Sequence, residues 1–480
     1  MRLVRLAAMS KSAMDKLRAS LTQGHASRRA RADEEARSGS DVAGEGITAN
    51  GGAAKEQKNG TPNAGSGIAS GGVGGKGHLL VSRRAVEMIT TAAALREFIA
   101  HARDVGSVAY DSEFIGELTY RPVICLVQLA THERIALVDP IAATGGDGLD
   151  LLPLWDLIAD ERVEKVVHAG EQDLEPVVRF SGKPPARVFD LQVAAGFCGY
   201  GYPLSLAKLV ATTVGVTLTK GHTFTNWQAR PLTSSQLRYA ADDVRYLPAI
   251  RASLGREVEA RGHGDAMAEE MTRMCDAGRY VFDAAVQVNR VRGGGALEGK
   301  SASVLRELVI WRDEVAKSAN LPPRVVVKDE VVVDIARLMP KSVDKLDRVK
   351  GLPKPVEAEH GGEIIDAVSR GLAVGVAARV DSEDTREMTP RQKFQADAAM
   401  NAMSLLCAGS GVDVQLAASR ADLMEFLYWR LRGMSGDTPR LMAGWRAKVI
   451  GEPLLKMLNG QASIKLTWKG EEAVGEVECL

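Results

Sequence analysis

The pattern of apolar residues changes abruptly along this chain, and the change limits the folds that the chain can adopt. Between positions 107 and 168 the apolar residues form short runs rich in β-branched side chains, at 107–111, 123–130, 134–138 and 165–168. Such runs, split by turn-forming residues and alternating with helical stretches, are typical of a mixed α/β domain. From Ser303 onwards apolar residues recur at helical spacing. The sequence therefore predicts an α/β domain followed by helical parts.

The helical region divides into two blocks. We place the α/β domain at 84–260, a helical connector at 261–298, one helical unit at 299–375 and a second at 388–462, with a charged stretch at 381–387 between the two units. Apolar residues on one face of the first predicted helix of the 299–375 unit are Val304, Leu308, Trp311 and Val315.

The first 83 residues lack the composition of a folded domain. Positions 39–77 hold 13 glycines in 39 residues, and few of the others are apolar. Without apolar surface to bury, such a segment cannot offset the entropy of ordering. Positions 1–32 carry eight basic residues and one acid, Asp15. We interpret residues 1–83 as disordered, with the basic end either an organellar transit peptide or a dispensable tail.

Composition excludes several classes of protein. No run reaches the roughly 18 apolar residues that a membrane-spanning helix needs. The 61 Lys and Arg residues balance 61 Asp and Glu residues, so the chain is not a polycation. The five cysteines are far apart and form no CxxC pair, which argues against a disulfide framework or a zinc ribbon. A reducing compartment, the cytoplasm, is the expected location.

Carboxylates recur where the α/β domain would present them to one site. Asp111 and Glu113 are two residues apart on a strand, so both side chains point to the same face. Asp173 begins the helix after the strand at 165–168, and Tyr239 and Asp243 share a face of a later helix because they are four residues apart. Oxygen ligands alone favour a hard cation such as Mg²⁺ or Mn²⁺.

Four carboxylates and a tyrosine are suited to two-metal hydrolysis of a phosphodiester. Two ions stabilise the attacking and the leaving oxygen, and the phenol orients or deprotonates the water. Each residue also has an ordinary structural interpretation: a solvated strand pair, a charge at a helix start, or an exposed helix pair. Their joint occurrence favours the catalytic interpretation.

These residues stand in motifs that resemble a known family. The segments Asp-Ser-Glu-Phe at 111–114, His-Ala-Gly-Glu-Gln-Asp-Leu at 168–174 and Tyr-Ala-Ala-Asp-Asp-Val at 239–244 are similar to the three motifs of DEDD exonucleases of the YxxxD subtype. The segment 227–232, Trp-Gln-Ala-Arg-Pro-Leu, resembles the WxxRPL signature of the ribonuclease D family. The helical patterns at 308–312 and 335–340 resemble an HRDC domain, and 444–460 resembles a second HRDC-like module.

The resemblance implies a fold and an activity. It implies a ribonuclease H-like mixed-sheet exonuclease domain followed by two all-α HRDC-type domains, and a 3′–5′ exoribonuclease that uses two Mg²⁺ or Mn²⁺ ions. Its expected partner is RNA with a single-stranded 3′ end, in particular a tRNA precursor, from which it would release 5′-mononucleotides. A monomer is the expected oligomeric state.

The resemblance also implies residue roles. Asp111, Glu113, Asp173 and Asp243 would hold the metal ions, and Tyr239 would position or activate the water. The side chains implied to contact substrate are Phe114, Trp227 and Arg230. The stretch 221–226 departs from the family by carrying little charge, so substrate contacts there are in doubt.

Two alternative functions remain open at the level of sequence. One is an exosome-type RNA exonuclease, or a DNA exonuclease, of the same superfamily, because carboxylates do not distinguish the sugar. The other is a non-catalytic RNA-binding scaffold. Residues 388–470 carry 11 basic and six acidic residues, and this surplus either contacts RNA phosphates or is only a solvated surface.

Overall fold

The computed structural model describes residues 80–116, 119–142, 148–218, 226–374, 389–469 and 472–479. The predictions for residues 1–79, for the stretch 221–225 and for the charged segment 381–387 lie outside this range. The described chain forms two compact units. The smaller contains residues 116, 119–122 and 282–374, and the larger contains the other described residues.

A six-stranded mixed sheet is the centre of the larger unit. Its strands are β1 (Glu87–Ile89), β2 (Ser107–Ile115), β3 (Val123–Ala130), β4 (Ile135–Val138), β5 (Glu164–Val167) and β6 (Val188–Asp190). Their order is β1-β4-β3-β2-β5-β6. The pairs formed by β3 with β2 and β4 are antiparallel, and the other three pairs are parallel. The predicted mixed α/β fold is confirmed.

The helices of the α/β part of the larger unit lie between strands along the chain and continue after β6. They are α1 (Ala92–Val105), α2 (Leu152–Ile158), α3 (Glu171–Ser181), α4 (Leu191–Phe197), α5 (Leu206–Thr213), α6 (Ser234–Arg245), α7 (Leu247–Ala260) and α8 (Gly264–Met274). Thr91 caps α1 by accepting a hydrogen bond from the Ala94 N–H. Burial of nearly every residue of β3 and β4 explains why their sequences are continuous apolar runs rather than alternating ones.

Two features of β2 matter for the site. β5 pairs with β2 only along Ser107–Ala109, so the edge of β2 beyond Ala109 is open on that side. On the other side, Glu113 pairs with Leu126 and Phe114 pairs with Ile124, which leaves Cys125 as an extra residue in β3. Such a bulge bends a strand and redirects the side chains beside it.

The C-terminal helices are also part of the larger unit. They are α14 (Pro390–Gly409), α15 (Val414–Ala417), α16 (Arg420–Leu431), α17 (Gly444–Arg446) and α18 (Glu452–Leu458), and a β-hairpin, β7 (Ala462–Lys469) and β8 (Glu472–Cys479), follows them. The hairpin was not predicted. One continuous buried cluster contains both sheet residues and residues of these helices. The predicted separate unit at 388–462 therefore shares its core with the α/β domain.

A buried ion pair lies within this shared core. Glu270 on α8 accepts hydrogen bonds from the Arg446 guanidinium and from the Trp445 indole N–H, the latter at 2.8 Å. The Arg446 side chain is only 2% exposed, and its Nε donates to the Ala417 carbonyl oxygen at 2.6 Å. Phe197 on α4 meets the Trp445 ring edge-on. These contacts attach the C-terminal helices to the layer beside β6.

The smaller unit is helical. Its helices are α9 (Ala284–Arg290), α10 (Gly299–Ala319), α11 (Pro323–Val326), α12 (Asp329–Leu338) and α13 (Lys354–Ala373). The four residues predicted for the apolar face of α10 are all buried. A 3₁₀ turn, Val343–Arg348, lies between α12 and α13. Tyr120, from the β2–β3 connection, donates to Asp313 at 3.0 Å within this unit.

No helix in the described part of the chain is long and apolar enough to cross a membrane.

Replacing Glu270 with Ala should destabilise the larger unit by about 3–5 kcal/mol, because it leaves the Arg446 charge buried without its partner. Chemical denaturation monitored by circular dichroism measures this change. The matched control is Asp397→Ala, which removes an ion pair to Arg420 whose side chains are 52% and 60% exposed, and which should cost at most about 1 kcal/mol. Equal losses in the two variants would contradict the prediction.

Candidate active site

The two carboxylates of β2 lie in a cavity of about 450 Å³. Four successive residues of the strand, Asp111 to Phe114, line it, and the bulge at Cys125 lies opposite the end of this segment. The cavity is lined by Asp111, Ser112, Glu113, Phe114, His168, Ala169, Gln172, Asp173, Leu206, Tyr239, Asp243 and Leu247. The fold thus brings together all five predicted catalytic residues and Phe114.

Asp173 reaches the site across the open edge of β2. The Ser112 N–H and hydroxyl both donate to Asp173 Oδ1, at 3.1 and 2.7 Å. The Tyr110 hydroxyl donates to the Asp173 carbonyl oxygen at 2.8 Å. Because β5 has already ended, the Asp173 carboxylate replaces a strand as the partner of the Ser112 N–H. Asp173 is therefore fixed against β2 through both its backbone and its side chain.

Tyr239 and Asp243 come from α6. A capping box between Thr233 and Gln236 defines the start of this helix. The Tyr239 hydroxyl hydrogen-bonds to the Asp243 carboxylate, as expected for residues four apart on one face. Asp242 instead pairs with Arg245 at 3.0 Å and does not line the cavity.

The carboxylates raise one another's pKa values. Burial raises the pKa of Asp111 well above its usual value, and the charges of Asp173, Asp243 and Glu113 raise it further. Burial and the charges of Asp243 and Asp173 raise the pKa of Glu113 to about 8. Burial also raises the pKa of Asp173, against the hydrogen bonds from Ser112, and the pKa of Asp243. A divalent cation would relieve this repulsion.

The donor set fits a hard divalent cation. The acidic groups that line the cavity supply only oxygen ligands, which suit Mg²⁺ or Mn²⁺. Within the described ranges, no group of three or more His, Cys, Asp or Glu side chains has the arrangement that would hold a metal ion. Mg²⁺ sites in phosphoryl chemistry do not need such a group, because one or two carboxylates, water and substrate phosphate complete the coordination.

Trp227 and Arg230, the other two residues implied to contact substrate, lie outside the cavity. The Arg230 guanidinium makes two hydrogen bonds of 2.7 Å to Asp139 and one of 2.7 Å to the carbonyl oxygen of Cys125, the bulge residue. Trp227 is 6% exposed, and its ring lies 6.1 Å from that of Tyr239. Neither residue lines the cavity. Their contacts instead fasten the segment before α6 to β3 and support Tyr239.

Sequence reasoning missed several residues near the site. Ser112 lies inside the first motif and was given no role, although it lines the cavity and donates to Asp173. Gln128 pairs with Asp111 across the sheet and is fully buried, and its amide atoms have no hydrogen-bond partner within the described chain. His168, the first residue of the second motif, was given no role; it lines the cavity and hydrogen-bonds to the Leu204 carbonyl oxygen at 2.8 Å. A polar residue within an apolar strand was the available signal for Gln128.

The mixed sheet and its acidic cavity define a class of enzyme, and comparison with known proteins agrees. The family model for 3′–5′ exonuclease domains matches residues 86–259, and the model for HRDC domains matches residues 301–368. The larger unit therefore contains a 3′–5′ exonuclease domain, and the smaller one contains an HRDC domain.

Individual relatives identify the family. Ribonuclease D of Nitrobacter hamburgensis is 33% identical over 386 residues, which is 79% of this chain and 97% of that protein. Ribonuclease D of Sphingobium indicum is 34% identical over 384 residues, which is 78% of this chain and 95% of that protein. The crystal structure of Escherichia coli RNase D, an exoribonuclease involved in structured RNA processing, matches with a TM-score of 0.64 and 30% identity over 78% of this chain and 99% of that one.

The chain belongs to the ribonuclease D family, and it is a 3′–5′ exoribonuclease. The resemblance inferred from the motifs is confirmed. Exonucleases with this fold use divalent metal ions.

The metal-free protein should become less stable as the pH rises from about 5 to about 8. The usual pKa of Asp and Glu is about 4, whereas the folded-state pKa of Glu113 is about 8. Within this window the folded protein binds more protons than the unfolded chain, so its stability falls as these protons dissociate. The measurement compares the melting temperatures of the wild-type protein and of Asp111→Asn, which lacks one negative charge, in EDTA across this pH range. The variant should be the more stable protein, by a margin that grows with pH; a margin independent of pH would contradict the assignment.

Proposed function

We propose that this chain hydrolyses RNA from its 3′ end by two-metal catalysis and releases 5′-mononucleotides. The observation that carries the proposal is the convergence of Asp111, Glu113, Asp173, Asp243 and Tyr239 on one cavity of a 3′–5′ exonuclease domain. In this proposal the four carboxylates hold two Mg²⁺ or Mn²⁺ ions, whose charge stabilises the attacking and leaving oxygens.

Tyr239 orients the attacking water in this proposal. Burial, followed by the charges of Asp243 and Glu113, holds the pKa of the Tyr239 hydroxyl far above neutral. The phenol therefore keeps its proton at neutral pH and acts as a hydrogen-bonding group rather than as a base. Its bond to Asp243 fixes the orientation of the hydroxyl, and the neighbouring Trp227 ring limits its movement.

Phe114 is proposed to contact the terminal nucleotide. It lines the cavity next to Glu113 and is only partly buried, so part of its ring is accessible. Stacking of a base on an aromatic ring tolerates every base, as an exonuclease requires.

Structured RNA with a single-stranded 3′ end is the substrate class that we propose, with tRNA precursors as the first candidate. E. coli RNase D acts in structured RNA processing, and this chain covers nearly all of that protein. Fewer of the basic residues in the C-terminal helices are available to contact RNA phosphates than their number suggests. Arg446 is buried, and Arg420 and Arg440 pair with Asp397 and Asp422.

The cytoplasm is the compartment that we propose, and a monomer is the proposed state. Cys125, Cys198, Cys275 and Cys407 are all free thiols. Unpaired cysteines are typical of reducing surroundings.

Replacing Asp243 with Asn should abolish hydrolysis while RNA binding in EDTA is retained, because the amide is nearly isosteric but lacks the charge that holds a metal ion. Shortening of 5′-labelled RNA and of the matched DNA, with Mg²⁺, Mn²⁺ or EDTA, measures the activity and the sugar preference. Asp242→Asn is the matched control, since this neighbour faces Arg245, and it should remain active. Turnover by Asp243→Asn at the wild-type rate would refute the site.

Changing Tyr239 to Phe removes only the hydroxyl. If this group orients the water, kcat should fall by about 10²–10⁴-fold, while KM for RNA and the melting temperature stay close to wild type. Single-turnover assays at saturating metal measure this step. An unchanged kcat would mean that Tyr239 serves only packing.

A further inference from the structure

The turn that presents Asp173 is tightly constrained. β5 ends at Val167 and α3 begins at Glu171, so three residues reverse the chain. Ala169 has a φ of 55°, a left-handed conformation that is uncommon outside glycine. A Cβ atom on Gly170 would lie 2.6 Å from Val167 Cβ. The direction in which α3 leaves the sheet, and with it the position of Asp173, depends on this turn.

The turn lacks a cap of its own. The first N–H groups of a helix need acceptors from outside the helix, and Gly170, the N-cap of α3, has no side chain to provide one. The acceptor comes instead from Asp190, at the end of β6. Its Oδ2 accepts the Gly170 N–H at 2.9 Å, and its Oδ1 accepts the Ala169 N–H at 3.3 Å.

The same carboxylate also caps α4. Asp190 Oδ1 accepts the N–H groups of Gln192 and Val193, at 2.7 and 3.2 Å. Asp190 is 1% exposed and does not line the cavity. One buried side chain thus joins the start of α4 to the turn before α3: Oδ1 contacts both, whereas Oδ2 accepts only the Gly170 N–H. An amide at this position would keep Oδ1 but turn Oδ2 into a donor facing the Gly170 N–H.

We propose that Asp190 is a positioning residue for Asp173. By holding the turn, it keeps the Asp173 carboxylate against Ser112 on β2, where Asp173 would help to hold a divalent cation. This inference rests on the proposed function, in which Asp173 is a metal ligand. Asp190 itself touches neither the cation nor the substrate, and acts only through the turn.

The test measures Mn²⁺ binding by isothermal titration calorimetry on the full chain without RNA. Asp190→Asn preserves the size of the side chain and the Oδ1 atom that caps α4. Its amide NH₂ group, however, would face the Gly170 N–H, so that two donors oppose each other. It should weaken Mn²⁺ binding by about 10–100-fold, the usual effect of losing a residue that orients a metal ligand. Asp190→Ser keeps a good N-cap residue but is too short for the turn, so it should weaken binding similarly. If Asp190→Asn does not unfold cooperatively, Asp190→Ser decides the question.

Two further variants separate the possible outcomes. Asp413→Asn alters an N-cap on α15 that contacts Gln415 at 2.7 Å, and it should leave Mn²⁺ binding unchanged. Asp173→Asn should abolish Mn²⁺ binding at the proposed site, because it removes the charge of a metal ligand. Wild-type affinity in both Asp190 variants, with binding lost in Asp173→Asn, would overturn the role of Asp190 and leave the proposed function standing. Wild-type affinity in Asp173→Asn would overturn both.

The activity assay adds a second measurement. The Mg²⁺ concentration for half-maximal hydrolysis should rise in Asp190→Asn, and saturating Mg²⁺ should restore most of the kcat. A fall in kcat that saturating Mg²⁺ does not restore, at unchanged half-saturation, would indicate general damage to the fold and would contradict the positioning role.

Discussion

Mutual repulsion among four partly or fully buried carboxylates is the constraint on which the rest of this structure depends. Asp111, Glu113, Asp173 and Asp243 face one cavity, and burial together with their neighbours' charges raises the pKa of each. A cluster of this kind opposes folding in the absence of a cation. The surrounding structure has to hold the acids in place against that repulsion, and much of the fold near the cavity serves this purpose.

The supports differ from one acid to the next. β2 carries Asp111 and Glu113, whose backbone is fixed on one side by pairing with β3, while the other edge of β2 is open beyond Ala109. Asp173 lies across an open strand edge and is held by Ser112, Tyr110 and the turn that Asp190 contacts. Asp243 depends on α6, whose approach to the sheet is fastened by Arg230 to Asp139 and to the bulge in β3. Two residues of the WxxRPL signature, Trp227 and Arg230, thus have contacts that support the site.

The C-terminal helices extend this support. They share one buried cluster with the sheet, and the Glu270–Arg446 pair lies between them and α8. Met271, the residue after Glu270, places its sulfur 3.2 Å from the Asp190 backbone nitrogen. A path of direct contacts therefore runs from the C-terminal helices to the strand that carries Asp190. The HRDC unit, by contrast, has a separate core of its own.

The sequence alone determined the pattern of the fold and the residues of the site. Strand alternation places Asp111 with Glu113, and helical spacing places Tyr239 with Asp243, because backbone geometry sets both periods locally. Long apolar runs predicted β3 and β4, because nearly every residue of these two strands is buried. Strands β1 and β6, of three residues each, are too short to produce a recognisable period.

Only the tertiary structure decided what holds the site together. The contact of Asp190 with Gly170 spans 20 residues, that of Arg230 with Asp139 spans 91, and that of Arg446 with Glu270 spans 176. No local pattern encodes such pairs, because a side chain's partner across the chain depends on the packing of whole elements. For this reason the acids could be named from the sequence, whereas the residues that orient them could not.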